Sequence, residues 1–447
     1  MAATKGLGVY IWMLITCIKS VIARENQQLL MLLLDGFRWD YLDQPDLHLP
    51  GFRRILEIGI RTDYLKPVYP TLSYPNYYSI ATGLYTENHG MISNYMYDEV
   101  EKESFLIGTN PEQYHSYWWN QAEPVWISAE KQKLNSYMYF WPGCEVTIRD
   151  VKPTQCRPYN GPPSLNDFKR VMADVMRKFV NDEADLGGVY YEMTDKLGHD
   201  YGPKSKQLND NIQALDAELF KLTEDMVKMG LNNKLNVMIF SDHGMTDMTN
   251  RTLIDTASIL TRDDYDVIRE NGPLSSLWPK PGKHREVYHK LRRFHRKMHV
   301  YERDDLPERY HYKHNARVAP ITMIAEKPYY ILTPVKPNYP SRKSDFHPRL
   351  GVHGYDDTDI DMRGIFLGFG PSFKAHYRGP GIENIHLYQI MCRILGLIPE
   401  SHNGTWSTIS GLVTDKLPPA VGGASTLTVT YLTSMTLLVL ICTILGF

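Results

Sequence analysis

A chain of 447 residues with 43% hydrophobic and 22% charged residues is too long for a small disulfide scaffold and too apolar for an intrinsically disordered protein. Its 49 basic and 51 acidic residues give a formal net charge of −2, without the basic excess of a general nucleic-acid binder. At about 150 residues per domain the length allows up to three domains, although large α/β enzymes run longer as one unit.

Residues 1–23 read as a secretory signal peptide. Lys5 supplies the positive start, Leu7 to Ile18 is mostly apolar, and Val21-Ile22-Ala23 predicts cleavage after Ala23; a retained signal anchor is the alternative. A catalytic domain is then expected over residues 24–417. The apolar run Leu29 to Leu34 ends at Asp35 and predicts a strand covered on both faces. Cys144 and Cys156, twelve apart, read as a local disulfide in an exported protein.

A second run, Leu186 to Glu192, precedes Asp195 and His199. A third, Leu235 to Phe240, precedes Asp242 and His243. Between them Leu208, Ile212, Leu215, Leu219 and Leu222 repeat at helical spacing. This rhythm predicts an α/β fold with a mostly parallel central sheet flanked by helices. Residues 250–350 break it and predict an inserted α+β subdomain, in which Val287, Leu291, Phe294 and Met298 mark one helix face. The six histidines between 284 and 314 lack carboxylates at helical spacing on one face, and the basic surface reads as solvated.

Cys392 sits in the apolar helical pattern of Leu387, Ile390, Met391, Ile394 and Leu395, which predicts a buried free thiol; a homodimer bridged through it stays open. Asn250 and Asn403 begin glycosylation sequons. The end of the chain, residues 418–447, has small residues Gly422, Gly423 and Ala424, a polar spacer, an apolar run from Leu427, and no charge after Lys416. That is the pattern of a GPI-attachment signal, with a transmembrane helix as the alternative. Both ends together place the mature protein on the extracellular face of the plasma membrane, tethered to the outer leaflet.

In open α/β sheets ligands converge at the carboxyl ends of the strands. Asp35, Asp195, His199, Asp242 and His243 follow the three strand runs, and His353 sits before Gly354, which permits close backbone approach. Asp195 and His199, four apart, share one side of a helical turn. An aspartate at a strand end serves as readily as a cap or turn residue. Four such segments in this order point instead to a metal centre, and a mixed His/carboxylate set favours zinc over magnesium or calcium.

The segments LLLDGFRWDY (32–41), PTLSYPNYYSIATG (70–83), HGMISNYMYD (89–98), YFWPGCEV (139–146), TDKLGHDYGP (194–203), FSDHGM (240–245), HGYD (353–356) and MRGIFLGFGP (362–371) cover nearly the whole mature chain. In order and spacing the chain resembles the ectonucleotide pyrophosphatase/phosphodiesterase family of the alkaline-phosphatase superfamily, and within it the choline-specific glycerophosphodiesterase branch. The resemblance implies an alkaline-phosphatase-like fold and two zinc ions per subunit. One would be held by Asp195, His199 and His353, the other by Asp35, Asp242, His243 and the nucleophile Ser73. Serine in place of the family's usual threonine is the pattern of the choline-specific branch. Asn94 matches the amide that helps hold a phosphoryl oxygen. Tyr-Pro-Asn after the nucleophile departs from the sulfatase pattern.

The implied reaction is zinc-dependent hydrolysis of glycerophosphocholine and lysophosphatidylcholine, releasing phosphocholine through a phosphoserine. Metal coordination lowers the pKa of the attacking oxygen by several units. The trimethylammonium group needs aromatic faces, for which Tyr74, Tyr159 and Tyr190 are the candidates. The alternatives are a nucleotide- or sphingomyelin-cleaving member of the same family and a non-catalytic surface ectodomain. No nucleic-acid partner is expected.

Overall fold

The computed structural model describes residues 27–108, 111–334, 349–414 and 417. The signal segment and the attachment signal of the sequence analysis lie outside the described residues. Among the described residues no helix is long and apolar enough to cross a membrane.

In chain order the main elements are β1 (Gln28–Leu34), α1 (Pro50–Ile58), β2 (Gly59–Thr62), α2 (Ser73–Thr82), β3 (Ser136–Tyr139), β4 (Gln155–Arg157), α3 (Leu165–Val180), β5 (Leu186–Tyr191), α4 (Met193–Tyr201), α5 (Lys206–Lys228) and β6 (Leu235–Phe240). Then follow β7 (Tyr265–Arg269), β8 (Leu274–Pro279), α6 (His284–Arg292), β9 (Met298–Glu302) and β10 (Ile321–Ala325). The chain closes with β11 (Phe366–Phe369), β12 (Tyr377–Gly379) and α7 (Leu387–Leu395).

An eight-stranded sheet in the order β12-β2-β11-β6-β1-β5-β3-β4 forms the centre. It is parallel except at β11, which runs antiparallel to both its neighbours. All seven residues of β1 are buried, and Leu32 lies opposite Val189 on one side and Ile239 on the other. A strand flanked by parallel neighbours and covered on both faces needs such a continuous apolar run. A mixed and mostly parallel sheet between helices is what the resemblance to alkaline-phosphatase-like proteins implies.

The helices dock by their apolar stripes. Leu208, Ile212, Leu215, Leu219 and Leu222 of α5 are buried, and Ser205 caps its first turn. At the start of α1, Pro50 has no N–H to satisfy. The next two amides, of Gly51 and Phe52, donate to the two oxygens of Asp216 on α5, at 2.9 and 2.7 Å. One buried carboxylate thus caps a neighbouring helix and fixes how the two helices meet.

Strands β7, β8, β10 and β9 form a separate antiparallel sheet in that order, backed by α6. Its own core includes Leu277, Val287, Leu291, Val300 and Met323. Here the structure corrects one helix expectation. Val287 and Leu291 do lie on the buried face of α6, but the helix stops at Arg292. Phe294 falls beyond it, and Met298 opens β9, paired with Ala325. Pairing with β10 satisfies the backbone there and overrides the helical spacing.

The carboxyl ends of β1, β5 and β6 lie side by side. They deliver Asp35, Asp195 and Asp242 to one place.

Candidate metal centre and nucleophile

Gly36 explains how closely the first two loops approach. Its φ is +64°, and a Cβ there would meet the Cα of Asp195 at 2.9 Å. Its N–H donates to Oδ1 of Asp242 at 3.1 Å. Asp195 and His199 sit one turn apart on α4, with Nε2 of His199 3.3 Å from Oδ2 of Asp195. His353 arrives because Gly351–Val352 pairs antiparallel with Thr246–Asp247, just past His243. The ring of His353 stacks on that of His243 at 3.5 Å.

Ligand atoms of Asp35, Asp242 and His243 lie within 4.8 Å of one another, and so do those of Asp195, His243 and His353. His243 therefore belongs to both groups, while His199, expected beside Asp195 and His353, falls in neither, its Nε2 lying 3.3 Å from Asp195 and 3.5 Å from Nη1 of Arg349. Each histidine turns Nε2 inward because a backbone carbonyl takes Nδ1–H. The acceptors are Gly351 for His199 (2.7 Å), Gly244 for His243 (2.9 Å) and Thr71 for His353 (2.9 Å). This fixes the tautomer that leaves an Nε2 lone pair for a metal.

The electrostatics fit a cation. Oδ1 of Asp35, Oδ1 of Asp195 and Oδ2 of Asp242 are buried and have no hydrogen-bond partner among the described residues. Burial first, then the charges of Asp242 and Asp195, push the Asp35 carboxyl well above its usual range. Burial likewise pushes Asp195 up to about 7. Burial, reinforced by Arg349, holds His199 well below its ordinary value, and burial with the neighbouring His243 does the same to His353. Burial opposes charge on His243 too, but Asp242, Asp195 and the Gly244 carbonyl together outweigh it and raise its pKa. Crowded carboxylates and neutral imidazoles in a dry site make up a donor set that a divalent ion satisfies.

Ser73 is the first residue of α2, and its Oγ lies 3.2 Å from Nε2 of His243. Asn94 accepts the Tyr74 N–H at 2.9 Å through Oδ1, which sets which end of its amide faces the helix. The side chain of Asn76 closes the turn before Ser73, accepting from Val68 N–H and donating to the Pro70 and Leu72 carbonyls.

The candidate tyrosines form one aromatic wall beside Ser73. Tyr74 packs against Tyr77, Phe105 and Trp119, Tyr77 against Tyr190, and Tyr190 against Tyr159. The Tyr190 hydroxyl does not point into free space. It donates to Oδ2 of Asp35, as does the hydroxyl of Tyr77.

Several residues escaped the sequence reading. Glu192 accepts from the Tyr159 hydroxyl, and Glu145 carries a buried Oε2 with no partner among the described residues. Both carboxyls bear electrostatically on Tyr74. Glu270 comes from the β7–β8 turn and lies against Ser93 and the backbone amides of Asn94 and Tyr95. Tyr77 could have been found, since it stands four residues after Ser73 on the same helix face. The others carry no local signal.

The Cys144–Cys156 disulfide is formed, with Cα atoms 5.6 Å apart. Cys392 is a buried free thiol, pushed by burial up to about 12. Asn250 lies exposed in a turn; Asn403 is exposed and accepts the Tyr85 N–H through Oδ1.

A family model described as type I phosphodiesterase / nucleotide pyrophosphatase matches residues 29–356. The human protein named ectonucleotide pyrophosphatase/phosphodiesterase family member 5 is 35% identical over 398 residues, covering 89% of this chain and 80% of that one. A mouse bis(5'-adenosyl)-triphosphatase is 35% identical, covering 92% and 88%. Human family member 7 is 32% identical, covering 88% and 86%. The solved structure of human family member 5 superposes with a TM-score of 0.79 at 35% identity, covering 87% of this chain and all of that one. The murine form of that protein, in an inactive variant, has been solved in complex with AMP at the same TM-score of 0.79 and 34% identity.

Proposed function

Because the chain belongs to the type I phosphodiesterase / nucleotide pyrophosphatase family, we propose that it is a zinc-dependent hydrolase of choline phosphodiesters, cleaving glycerophosphocholine and lysophosphatidylcholine to release phosphocholine. Hydrolysis of a phosphodiester or pyrophosphate bond is the family's activity. The choline headgroup is our own reading, and it rests on one observation. Beside Ser73 the aromatic wall of Tyr74, Tyr190 and Tyr159 bonds Glu192 through the Tyr159 hydroxyl and feels the charge of Glu145, whose buried Oε2 has no partner among the described residues. Aromatic faces with a nearby carboxylate suit a quaternary ammonium, which has no hydrogen to donate, at roughly 0.5–2 kcal/mol per contact.

Two ions would be held by Asp195, His199 and His353, and by Asp35, Asp242 and His243 together with Ser73. When bound, they would supply Lewis acidity to the attacking hydroxyl and the phosphoryl oxygens. Ser73 stands at the helix N-terminus, where a phosphoryl anion is welcome. Its Oγ forms the bond to phosphorus as the bond from phosphorus to the glycerol oxygen breaks, and that oxygen takes up a proton. Asn94, anchored through Oδ1, offers its Nδ2 to a phosphoryl oxygen. Water then cleaves the Oγ–phosphorus bond, frees phosphocholine and returns the serine hydroxyl. Secretion and a GPI tether to the outer leaflet would bring the site to extracellular choline lipids.

The comparisons lean toward the other reading, a nucleotide substrate, and none of the relatives named above singles out a choline-specific branch. One relative is named a bis(5'-adenosyl)-triphosphatase, and another has been solved with AMP. In that reading the same wall would stack a base. Glycerophosphocholine, lysophosphatidylcholine and a nitrophenyl ester of a nucleotide, supplied side by side to the purified full-length protein with zinc, separate the two. Phosphocholine release faster than nucleotide release is the expected result; the reverse order would overturn the choline assignment.

A further inference from the structure

The Asp35 carboxylate is asymmetric. Both the Tyr77 and the Tyr190 hydroxyls donate to Oδ2, and the two hydroxyl oxygens are 2.9 Å apart. Oδ1 is buried, lacks a partner among the described residues, and faces Nε2 of His243 at 3.5 Å. All three side chains are at least nine-tenths buried, so water does not compete for these contacts. A carboxylate free to rotate could present either oxygen, or both, to an ion. Here two neutral donors hold one oxygen and leave the other.

The donors come from separate elements. Tyr77 lies on α2, one turn from Ser73, and Tyr190 lies at the end of β5. Their rings meet edge to face at 5.6 Å, and Tyr190 continues to Tyr159 at 6.1 Å. The same residue therefore offers its hydroxyl to Asp35 and its ring to the aromatic wall.

We propose that Tyr77 and Tyr190 are positioning residues that clamp Oδ2 of Asp35, reserve Oδ1 for a metal ion, and tie the headgroup wall mechanically to the metal centre. The proposal rests on Asp35 being a metal ligand. Outer-shell partners of this kind typically change metal affinity by roughly 10–100-fold. Because each tyrosine does two jobs with different atoms, phenylalanine separates them. It keeps the ring and removes the hydroxyl.

The test uses the full-length protein and its Y77F, Y190F and double variants, with Y139F as a control. The Tyr139 hydroxyl bonds Asp174 at 2.7 Å, outside the site. Zinc retention is measured by chelator competition, alongside the melting midpoint of the metal-free form and steady-state turnover of glycerophosphocholine. Each single site variant is expected to hold one zinc about 10-fold more weakly, with kcat lowered, KM little changed and the metal-free midpoint close to that of Y139F. Wild-type retention in both single variants would overturn the clamp while leaving the metal centre standing. A wild-type protein that binds no zinc would overturn the metal reading itself, and the clamp with it.

Discussion

The carbonyl of Thr71 accepts the Nδ1–H of His353 at 2.9 Å, so the loop leading to Ser73 also fixes the tautomer of a histidine from far along the chain. The Thr71 hydroxyl strengthens the tie, donating to the Tyr355 carbonyl at 2.8 Å and accepting the Gly354 N–H at 3.0 Å. Gly354, at φ +103°, leaves room for Leu72 beside it. Replacing Thr71 with valine keeps the shape and leaves those two buried groups unpaired, a cost of about 1–3 kcal/mol each. Thr71→Val is expected to lower kcat/KM by at least about tenfold, with 1.4 kcal/mol per decade, and Thr71→Ser to recover most of it. Equal activity in both variants would remove the hydroxyl from the account.

Removing metal should be felt beyond turnover. Without a cation, the buried carboxylates of Asp35, Asp195 and Asp242 repel one another with only imidazoles between them. A ligand present at a hundred times its Kd stabilises the folded form by about 2.7 kcal/mol. Dialysis against a chelator is therefore expected to abolish hydrolysis and lower the melting midpoint, and added zinc to restore both. A midpoint indifferent to chelation would count decisively against the centre.

Ser73→Ala should stop turnover and leave zinc content largely intact, because six other side chains would supply the ligands. Metal analysis of the inactive variant checks this. Substantial residual hydrolysis would remove Ser73 from the nucleophile position.

Glu270 gives stability a pH dependence. Burial pushes its carboxyl up to about 7, although Ser93 and the Tyr95 and Asn94 amides pull the other way. A folded-state pKa above the unfolded one means that the folded form holds a proton the unfolded form has lost. This contribution is complete below the unfolded value and disappears as pH rises through about 7. Chemical denaturation at pH 5 and pH 7.5 should show the wild type losing more stability over that window than Glu270→Gln. An identical loss in the two proteins would exclude Glu270 as the source.

Asp216 tests the fold apart from the site. Asp216→Ala strips the amides of Gly51 and Phe52 of their acceptor. The expected cost is roughly 1–2 kcal/mol, as for other helix caps. Urea unfolding measures it, and a loss below a few tenths would show that water replaces the carboxylate.

Much of this architecture can be read in the chain itself. Runs such as Leu29 to Leu34 and Leu235 to Phe240 suit strands of a sheet covered on both faces, and the residues just after each run fall at the sheet edge. Asp35, Asp195, Asp242 and His243 are legible for that reason. Glu145 and Glu192 are not, because an isolated glutamate shows nothing until packing sets it against Tyr74 and Tyr159. Met298 misleads for a related reason. Its spacing fits a helix face, yet its backbone finds a better partner in β10. The double role of Tyr190 is hidden from any reading that treats a side chain as having one environment.

The bridge between Cys144 and Cys156 joins the stretch bearing Glu145 to the stretch leading to Tyr159. None of the six His and Asp side chains at the strand ends lies on either stretch. Opening that bond with a mild reductant should therefore loosen the choice of headgroup, seen as a raised KM for choline esters, while bound zinc stays in place. The bridge would then govern the headgroup wall alone, separately from the ligands at the strand ends.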